Sequence, residues 1–282
     1  MRVLVTGANG QLGTAVQACA PADWSIIATD VDDLDITDGA AVQKALADVD
    51  VCINAAAYTA VDAAESDEEA ARRVNVDACR HLAQACLDQG ALLIHVSTDY
   101  VFDGDTNTAY VETDATNPRS AYGRTKLGGE AVIRAAGVDH IILRTSWLYG
   151  ATGHNFMKTM LRLGRERDHL TVVVDQIGTP TLVDDLAAVI VHVLGRDDVR
   201  NQTGTYHFSN EGVASWYDFA RAIHRAAGID CHIDPVPTSA FPTPAERPRF
   251  TVLDKTRIKQ TFGLTIDHWQ DALVRCLKSL DA

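Results

Sequence analysis

Tyr122 and Lys126 stand four residues apart in Ser120-Ala-Tyr-Gly-Arg-Thr-Lys126. The spacing of Leu127, Ala131, Val132 and Ala135 after them predicts a helix, on which residues i and i+4 share a face and can converge on one ligand. A phenol is a poor acid near neutrality, with an ordinary pKa of about 10, and an adjacent ammonium stabilises its phenolate. Lys126 is placed to supply that charge. The pair has the makings of a proton donor to an oxyanion, which is what reduction of a carbonyl by hydride requires. An amphipathic surface helix can carry Tyr and Lys four apart by coincidence, so the reading rests on the elements around them.

The first such element is at the N-terminus, where the apolar strand Arg2-Val-Leu-Val-Thr6 runs into Gly7-Ala-Asn-Gly10-Gln-Leu-Gly13 and then a helical segment. In this G-x-x-G-x-x-G spacing Gly7 permits a tight turn, Gly10 lets the backbone approach a pyrophosphate, and Gly13 lets the helix pack closely on a sheet. A second strand, Ser25-Ile-Ile-Ala-Thr, ends at Asp30, the position from which a carboxylate binds an adenosine ribose. That carboxylate accepts from a free 2′-hydroxyl and repels a 2′-phosphate, and Asp32, Asp33 and Asp35 add to the repulsion. Local charge therefore leans toward NADH, with NADPH accommodated if a distant arginine folds in.

Strands at Val51–Asn54, Leu92–Ser97 and Ile141–Arg144 alternate with helices around Val74–Gln89 and Ala121–Ala136. The fold class expected is α/β, a doubly wound parallel sheet of Rossmann type with a smaller C-terminal substrate domain. Ligands in such sheets lie beyond the carboxyl ends of the strands, so Asn54-Ala-Ala-Ala57-Tyr-Thr59 and Ser97-Thr-Asp-Tyr100 should join the glycine loop at one rim. Small side chains at Ala55 and Ala57 suit close approach of a cofactor and equally suit core packing. A hydroxyl serving the reacting carbonyl could come from Ser97 or Thr98, since neighbours on a strand point to opposite faces. Residues 1–150 are expected to bind the dinucleotide. Residues 151–282 form mainly the substrate domain, with part of 181–203 packing back on the first. The proline-rich segment Val236–Pro248 cannot be a helix or a central strand and reads as an ordered loop over a site, flanked by helices at Trp216–Ala227 and Asp267–Ser279.

The chain has 282 residues, 46% of them hydrophobic, and a formal net charge of −13. It contains no apolar run long enough for a bilayer and no signal-peptide n-region, so a cytoplasmic location is expected. The acidity argues against nucleic acid as a partner. The acidic run Asp62–Glu69 reads as a solvated helix start. Six cysteines without C-x-x-C spacing read as buried thiols, and the scattered histidines form no ligand motif, so neither disulfide nor metal site is expected and no histidine is assigned a catalytic role.

Across its whole length the chain resembles the extended short-chain dehydrogenases/reductases, and within them the dTDP-4-dehydrorhamnose reductases. The glycine motif and Tyr122-Gly-Arg-Thr-Lys126 mark the superfamily. Narrower signals are Asn54–Asp62, Ser97-Thr-Asp-Tyr-Val-Phe102, Arg144-Thr-Ser-Trp-Leu-Tyr149, Asn155-Phe156, Asp175-Gln-Ile-Gly-Thr-Pro-Thr181 and Phe241-Pro-Thr-Pro-Ala-Glu-Arg-Pro248. The resemblance implies NADPH- or NADH-dependent reduction of a 4-keto-6-deoxy nucleotide sugar. Tyr122 would protonate the C4 oxygen, Lys126 would hold the nicotinamide ribose, and Thr98 would be the hydroxyl that tunes the phenol. Gly10, Gln11, Leu12, Asp30, Asp35, Ile36, Ala57, Tyr58 and Thr59 match cofactor-contacting positions. Asp99, Tyr100 and Trp147 would line the substrate side, and Asn155 and Arg247 would grip the nucleotide diphosphate. Some relatives bridge a dimer through a metal held partly by an acid on the first helix; Thr14, Ala15 and Val16 offer none, so a monomer or weak homodimer is expected. A related deoxyhexose ketoreductase, or a nucleotide-binding subunit without catalysis, are the alternatives.

Overall fold

The computed structural model describes residues 1–280. Strand β1 (Arg2–Thr6) leads into helix α1 (Gln11–Cys19), then β2 (Ser25–Thr29), α2 (Gly39–Ala45), β3 (Val51–Asn54), the short helices α3 (Val61–Ala64) and α4 (Glu68–Arg72), α5 (Ala78–Gln89), β4 (Leu92–Thr98), α6 (Ala121–Ala136) and β5 (His140–Thr145). The chain continues through β6 (Leu148–Tyr149), α7 (Phe156–Glu166), β7 (His169–Val173), β8 (Ile177–Gly178), β9 (Thr181–Leu182), α8 (Val183–Leu194), β10 (Gly204–His207), β11 (Ala214–Ser215), α9 (Trp216–Ala227), β12 (His232–Val236), α10 (Thr256–Phe262) and α11 (Trp269–Leu280).

Six strands form one parallel sheet in the order β10-β5-β4-β3-β1-β2. Its central strands are near-continuous apolar runs because both faces are covered by helices, as parallel crossover connections demand. On one face α1, α8 and α10 bury Leu12, Val16, Leu186, Ile190 and Phe262 against Val3, Val5 and Ile53. On the other, α2, α5 and α6 bury Val42, Leu82, Cys86 and Ile133 against Leu4, Leu93 and Ile142. The later half of the chain thus reaches into this layer beyond residue 203, through β10 and α10. A separate apolar cluster unites α7, α9, α11 and the β7–β12 pair, with Met157, Leu170, Phe219, Ile223, Ile233 and Leu273 at its centre. All six cysteines are free; Cys52, Cys79, Cys86 and Cys276 are buried, and Cys19 is exposed. No helix among the described residues is long and apolar enough to cross a membrane.

Two expected elements differ in form. The helix anticipated from Val74 begins as a π-helical turn over Arg73–Asp77, in which buried Asn75 takes the Tyr58 N–H on its side-chain oxygen (2.9 Å) and gives its amide to Thr125 Oγ1 (3.1 Å). The acidic run Asp62–Glu69 is not one solvated helix start. It spans α3 and α4, and only its later part behaves as expected, with Asp67 capping α4 through the Ala70 N–H. Asp62 pairs with Arg247, Glu65 accepts the Ala121 N–H at 2.7 Å, and Glu68 pairs with Arg124. These carboxylates tie the start of α6 and the proline-rich loop to the α3–α4 segment.

Candidate active site

The sheet reverses its winding between β1 and β3, where a doubly wound fold opens a crevice. Gly7 turns there with φ +66°, and a Cβ on it would lie 2.8 Å from the Ala56 backbone. A Cβ on Gly13 would meet the Gly7 carbonyl at 2.3 Å, so α1 can start this close to the turn only without a side chain. The α1 N-cap, Gly10, supplies no capping side chain and the first turn holds no acid. Its N–H groups are left to a ligand, as phosphate-binding helix starts require. Asp30 stands beside this loop and accepts the Asn9 N–H at 2.9 Å, so the carboxylate braces the turn as well as facing the crevice. Asp35 is bonded to Thr37, which holds its carboxyl below the usual range.

From this loop a cleft of about 870 Å³ runs across the carboxyl ends of the strands to Trp147. Of the residues singled out in the sequence, Gly7, Gly10, Gln11, Leu12, Asp30, Asp35, Ile36, Ala55, Ala57, Tyr58, Thr59, Thr98, Asp99, Tyr122, Lys126 and Trp147 line it. Gly13 lies beneath its floor as a packing contact.

The choice between Ser97 and Thr98 is made by their partners. Ser97 Oγ donates to buried Glu130 at 2.6 Å, and Glu130 is itself paired with Arg144 at 2.7 Å, so that hydroxyl is committed behind the sheet. Thr98 Oγ1 donates to Asp99 Oδ1 at 3.0 Å, accepts the Tyr100 N–H at 3.2 Å, and lines the same cleft as Tyr122. Helix α6 presents Tyr122 because Ser120 caps it, accepting the Gly123 N–H at 3.1 Å.

The electrostatics differ from the expectation in one respect. Burial pushes the Tyr122 phenol up to about 12; the Thr98 hydroxyl opposes this and the Asp99 charge adds to it. Lys126 is not among the charges that act on it. The ammonium is turned the other way, 2% exposed, donating to Val96 O at 2.6 Å with His95 Nε2 at 3.5 Å. Burial lowers the pKa of Lys126, and the same burial, with the Lys126 charge next in weight, holds His95 well below the ordinary histidine range and hence neutral. A neutral ring accepting at Nε2 carries its proton on Nδ1, which faces the Asn54 amide at 3.1 Å; with the amide oxygen turned to that proton, a chain from Thr6 through Asn54 and His95 to Lys126 is satisfied throughout. His95 is the residue that sequence reasoning passed over. Its one local signal is a polar side chain in the otherwise apolar run of β4.

Asp99 is 2% exposed and its carboxyl is raised to about 6 by burial, against the Thr98 hydroxyl that donates to it and the nearby Thr251 hydroxyl. Its Oδ2 has no partner among the described residues.

At the far end, Trp147 adopts a left-handed backbone, φ +48°, rare for a bulky residue. Its indole stacks on Trp216 with centroids 3.6 Å apart, and it lies so close to Gly178 that a Cβ there would stand 2.7 Å from the ring. The Asp175–Thr181 segment therefore reads physically as the seat of this indole, fastened by Ser146 Oγ donating to Thr179 O at 2.7 Å. Three expected substrate contacts are not part of the cleft lining. Tyr100 lies behind Tyr122, edge to face at 5.8 Å. Asn155 caps α7 and donates to Gln11 Oε1 at 2.9 Å and to Gly150 O at 2.8 Å, coupling α7 to the glycine loop. Arg247 forms a two-pronged pair with Asp62 at 2.9 and 2.7 Å, which ties down the proline-rich loop.

Relatives share this arrangement of sequence and fold. A family model described as the RmlD substrate binding domain matches residues 1–282. The dTDP-4-dehydrorhamnose reductase of Mycobacterium tuberculosis is 43% identical over 98% of this chain and 92% of its own length. That of Burkholderia thailandensis is 40% identical over 99% of both. Among solved structures, the dTDP-4-dehydrorhamnose reductase of Clostridium acetobutylicum superposes with a TM-score of 0.95 at 44% identity, covering 100% of both chains. The Bacillus anthracis enzyme, in complex with NADP, gives 0.93 at 38% identity and 99% coverage of both. With its full length matched in sequence and in fold, the chain belongs to the RmlD substrate-binding-domain family, alongside the dTDP-4-dehydrorhamnose reductases.

Proposed function

We propose that this protein reduces dTDP-4-dehydro-6-deoxy-L-mannose to dTDP-L-rhamnose, drawing on NADPH or NADH. The observation that carries the reading is the meeting of the Tyr122 phenol and the Thr98 hydroxyl in one cleft between a phosphate-accepting helix start and the Trp147 indole. A dinucleotide fits the residues present: Gly7, Gly10, Gln11 and Leu12 cradle the diphosphate, Asp30 and Asp35 face the adenosine end, Tyr58 and Thr59 flank the middle, and Lys126 reaches the nicotinamide ribose. Bound there, the reduced nicotinamide supplies the hydride. Tyr122 gives its proton to the C4 oxygen as the carbonyl carbon gains the hydride, Thr98 holds that oxygen, and Lys126 stabilises the phenolate left behind. The high phenol pKa keeps the donor protonated until a ligand draws the Lys126 ammonium toward the ribose.

Asp30, with Asp33 and Asp35 nearby, favours a free 2′-hydroxyl at the adenosine ribose, and Lys126, at the other end, is the one Lys or Arg among the described residues that lines the cleft. Local charge thus leans toward NADH, while the Bacillus anthracis relative is solved with NADP, so either cofactor serves here. Residues 1–150 supply the cofactor side and residues 151–282 most of the sugar side, with Trp147 and Asp99 facing the sugar. The chain works as a monomer or weak dimer, which light scattering with and without chelator would check. The direct test supplies the 4-keto nucleotide sugar, follows the loss of reduced-nicotinamide absorbance, and identifies the product by NMR. The L-rhamno product is expected; a different C4 epimer would assign the chain to another deoxysugar, and no oxidation of either cofactor would overturn the reading.

A further inference from the structure

Strands β7 and β12 lie outside the cleft and pair in parallel, with His232 opposite His169 and Asp234 opposite Thr171. Their alternation is regular: Leu170, Val172 and Ile233 point into the apolar cluster, and His169, His232 and Asp234 point outward together. His169 Nε2 lies 2.8 Å from Asp234 Oδ2, and His232 Nε2 lies 2.8 Å from Asp234 Oδ1. The two rings are nearly parallel, 17° apart, with centroids at 5.6 Å. All three ligand atoms fall within 4.8 Å of one another, and each side chain is at least half exposed. The sequence gives no hint of this set because its members come from strands far apart in the chain.

From this convergence we propose a divalent transition-metal site of the zinc class, held by His169 Nε2, His232 Nε2 and the Asp234 carboxylate, with solvent completing the coordination. Two imidazoles and one carboxylate suit Zn²⁺, Ni²⁺ or Cu²⁺, whereas Mg²⁺ and Ca²⁺ prefer oxygen alone. The backbone register fixes both imidazoles on one face, so small side-chain rotations replace each N···O contact by a bond of about 2.0–2.2 Å to a shared ion. The site has a structural use. Strand β7 runs directly into Asp175–Thr181, the seat of Trp147, and β12 runs into the proline-rich loop, so a metal bridging these strands clamps the two segments at their base.

The test is titration of the full-length protein with Zn²⁺ against a competing chromophoric chelator. Wild type should take up one ion that Mg²⁺ and Ca²⁺ do not displace, and its thermal midpoint should rise. His169→Asn, His232→Asn and Asp234→Asn should each weaken binding by at least about 10–100-fold, the range that loss of an outer-shell partner alone brings at such sites. Cys231→Ser checks the neighbouring thiol and should leave binding intact. Two results would overturn the proposal. Binding retained in the histidine variants but lost in Cys231→Ser would place the ion on the thiol, and no binding in wild type would reduce the three residues to a surface ion-pair cluster.

Discussion

Asp99→Asn replaces a buried carboxylate by a neutral side chain of the same shape. In the wild type that carboxyl is raised from 3.8 to about 6, chiefly by burial. A carboxyl whose folded pKa lies above its unfolded value binds an extra proton in the native state. Its contribution to stability is full below about pH 4 and is lost as pH rises through about 6. The difference of roughly two units at about 1.36 kcal/mol each sets the loss at about 3 kcal/mol, an upper estimate because water reaching the cleft would moderate it. The amide can still accept the Thr98 hydroxyl, and it carries no charge to desolvate. Urea unfolding of both proteins across pH 4 to 7.5 measures the effect. The variant should match wild type near pH 4, exceed it by one to about 3 kcal/mol at pH 7.5, and lack the wild-type decline between. Because the Asp99 charge also raises the Tyr122 phenol, the basic limb of the turnover profile should move to lower pH in the variant. Parallel stability curves, or a variant less stable at pH 7.5, would refute the reasoning.

His95→Leu removes the ring that faces Lys126 and leaves the ammonium bonded to Val96 O alone. Loss of one buried partner costs about 1–3 kcal/mol, so stability measured by urea unfolding should fall by that amount, with partial rescue in His95→Gln; unchanged stability would show that the lysine needs no such support. Asp30→Asn keeps an acceptor for the Asn9 N–H while removing the charge that meets a 2′-phosphate. The ratio of kcat/KM for NADPH over NADH should rise about tenfold or more. A constant ratio would mean that selectivity is set elsewhere.

What the sequence discloses about this molecule is what short-range spacing can encode. Gly7, Gly10 and Gly13 sit on a strand-to-helix turn whose geometry is local. Tyr122 and Lys126 share a helix face by periodicity, and Asp30 ends a strand. Each is found where its spacing puts it. Contacts that close over long separations were illegible. Local spacing does not name Asp62 as the partner of Arg247, or Gln11 as the side chain within 2.9 Å of Asn155. Lys126 reads as a neighbour of the phenol by helical spacing, yet β4 offers it a carbonyl and a neutral imidazole on the other side. The choice of Thr98 over Ser97 becomes physical only when Glu130 and Arg144 are seen to hold the serine. Composition could not reveal His169, His232 and Asp234 as a cluster, because strand register brings them together.

The central claim is that the Tyr122 hydroxyl delivers the proton to the reacting oxygen. Single-turnover reduction of the 4-keto nucleotide sugar by Tyr122→Phe tests it most directly. With cofactor binding measured in parallel, the account predicts near wild-type affinity for the dinucleotide and a chemical step slowed about 10²- to 10⁴-fold. An unaltered chemical step in a variant that binds cofactor normally would contradict it.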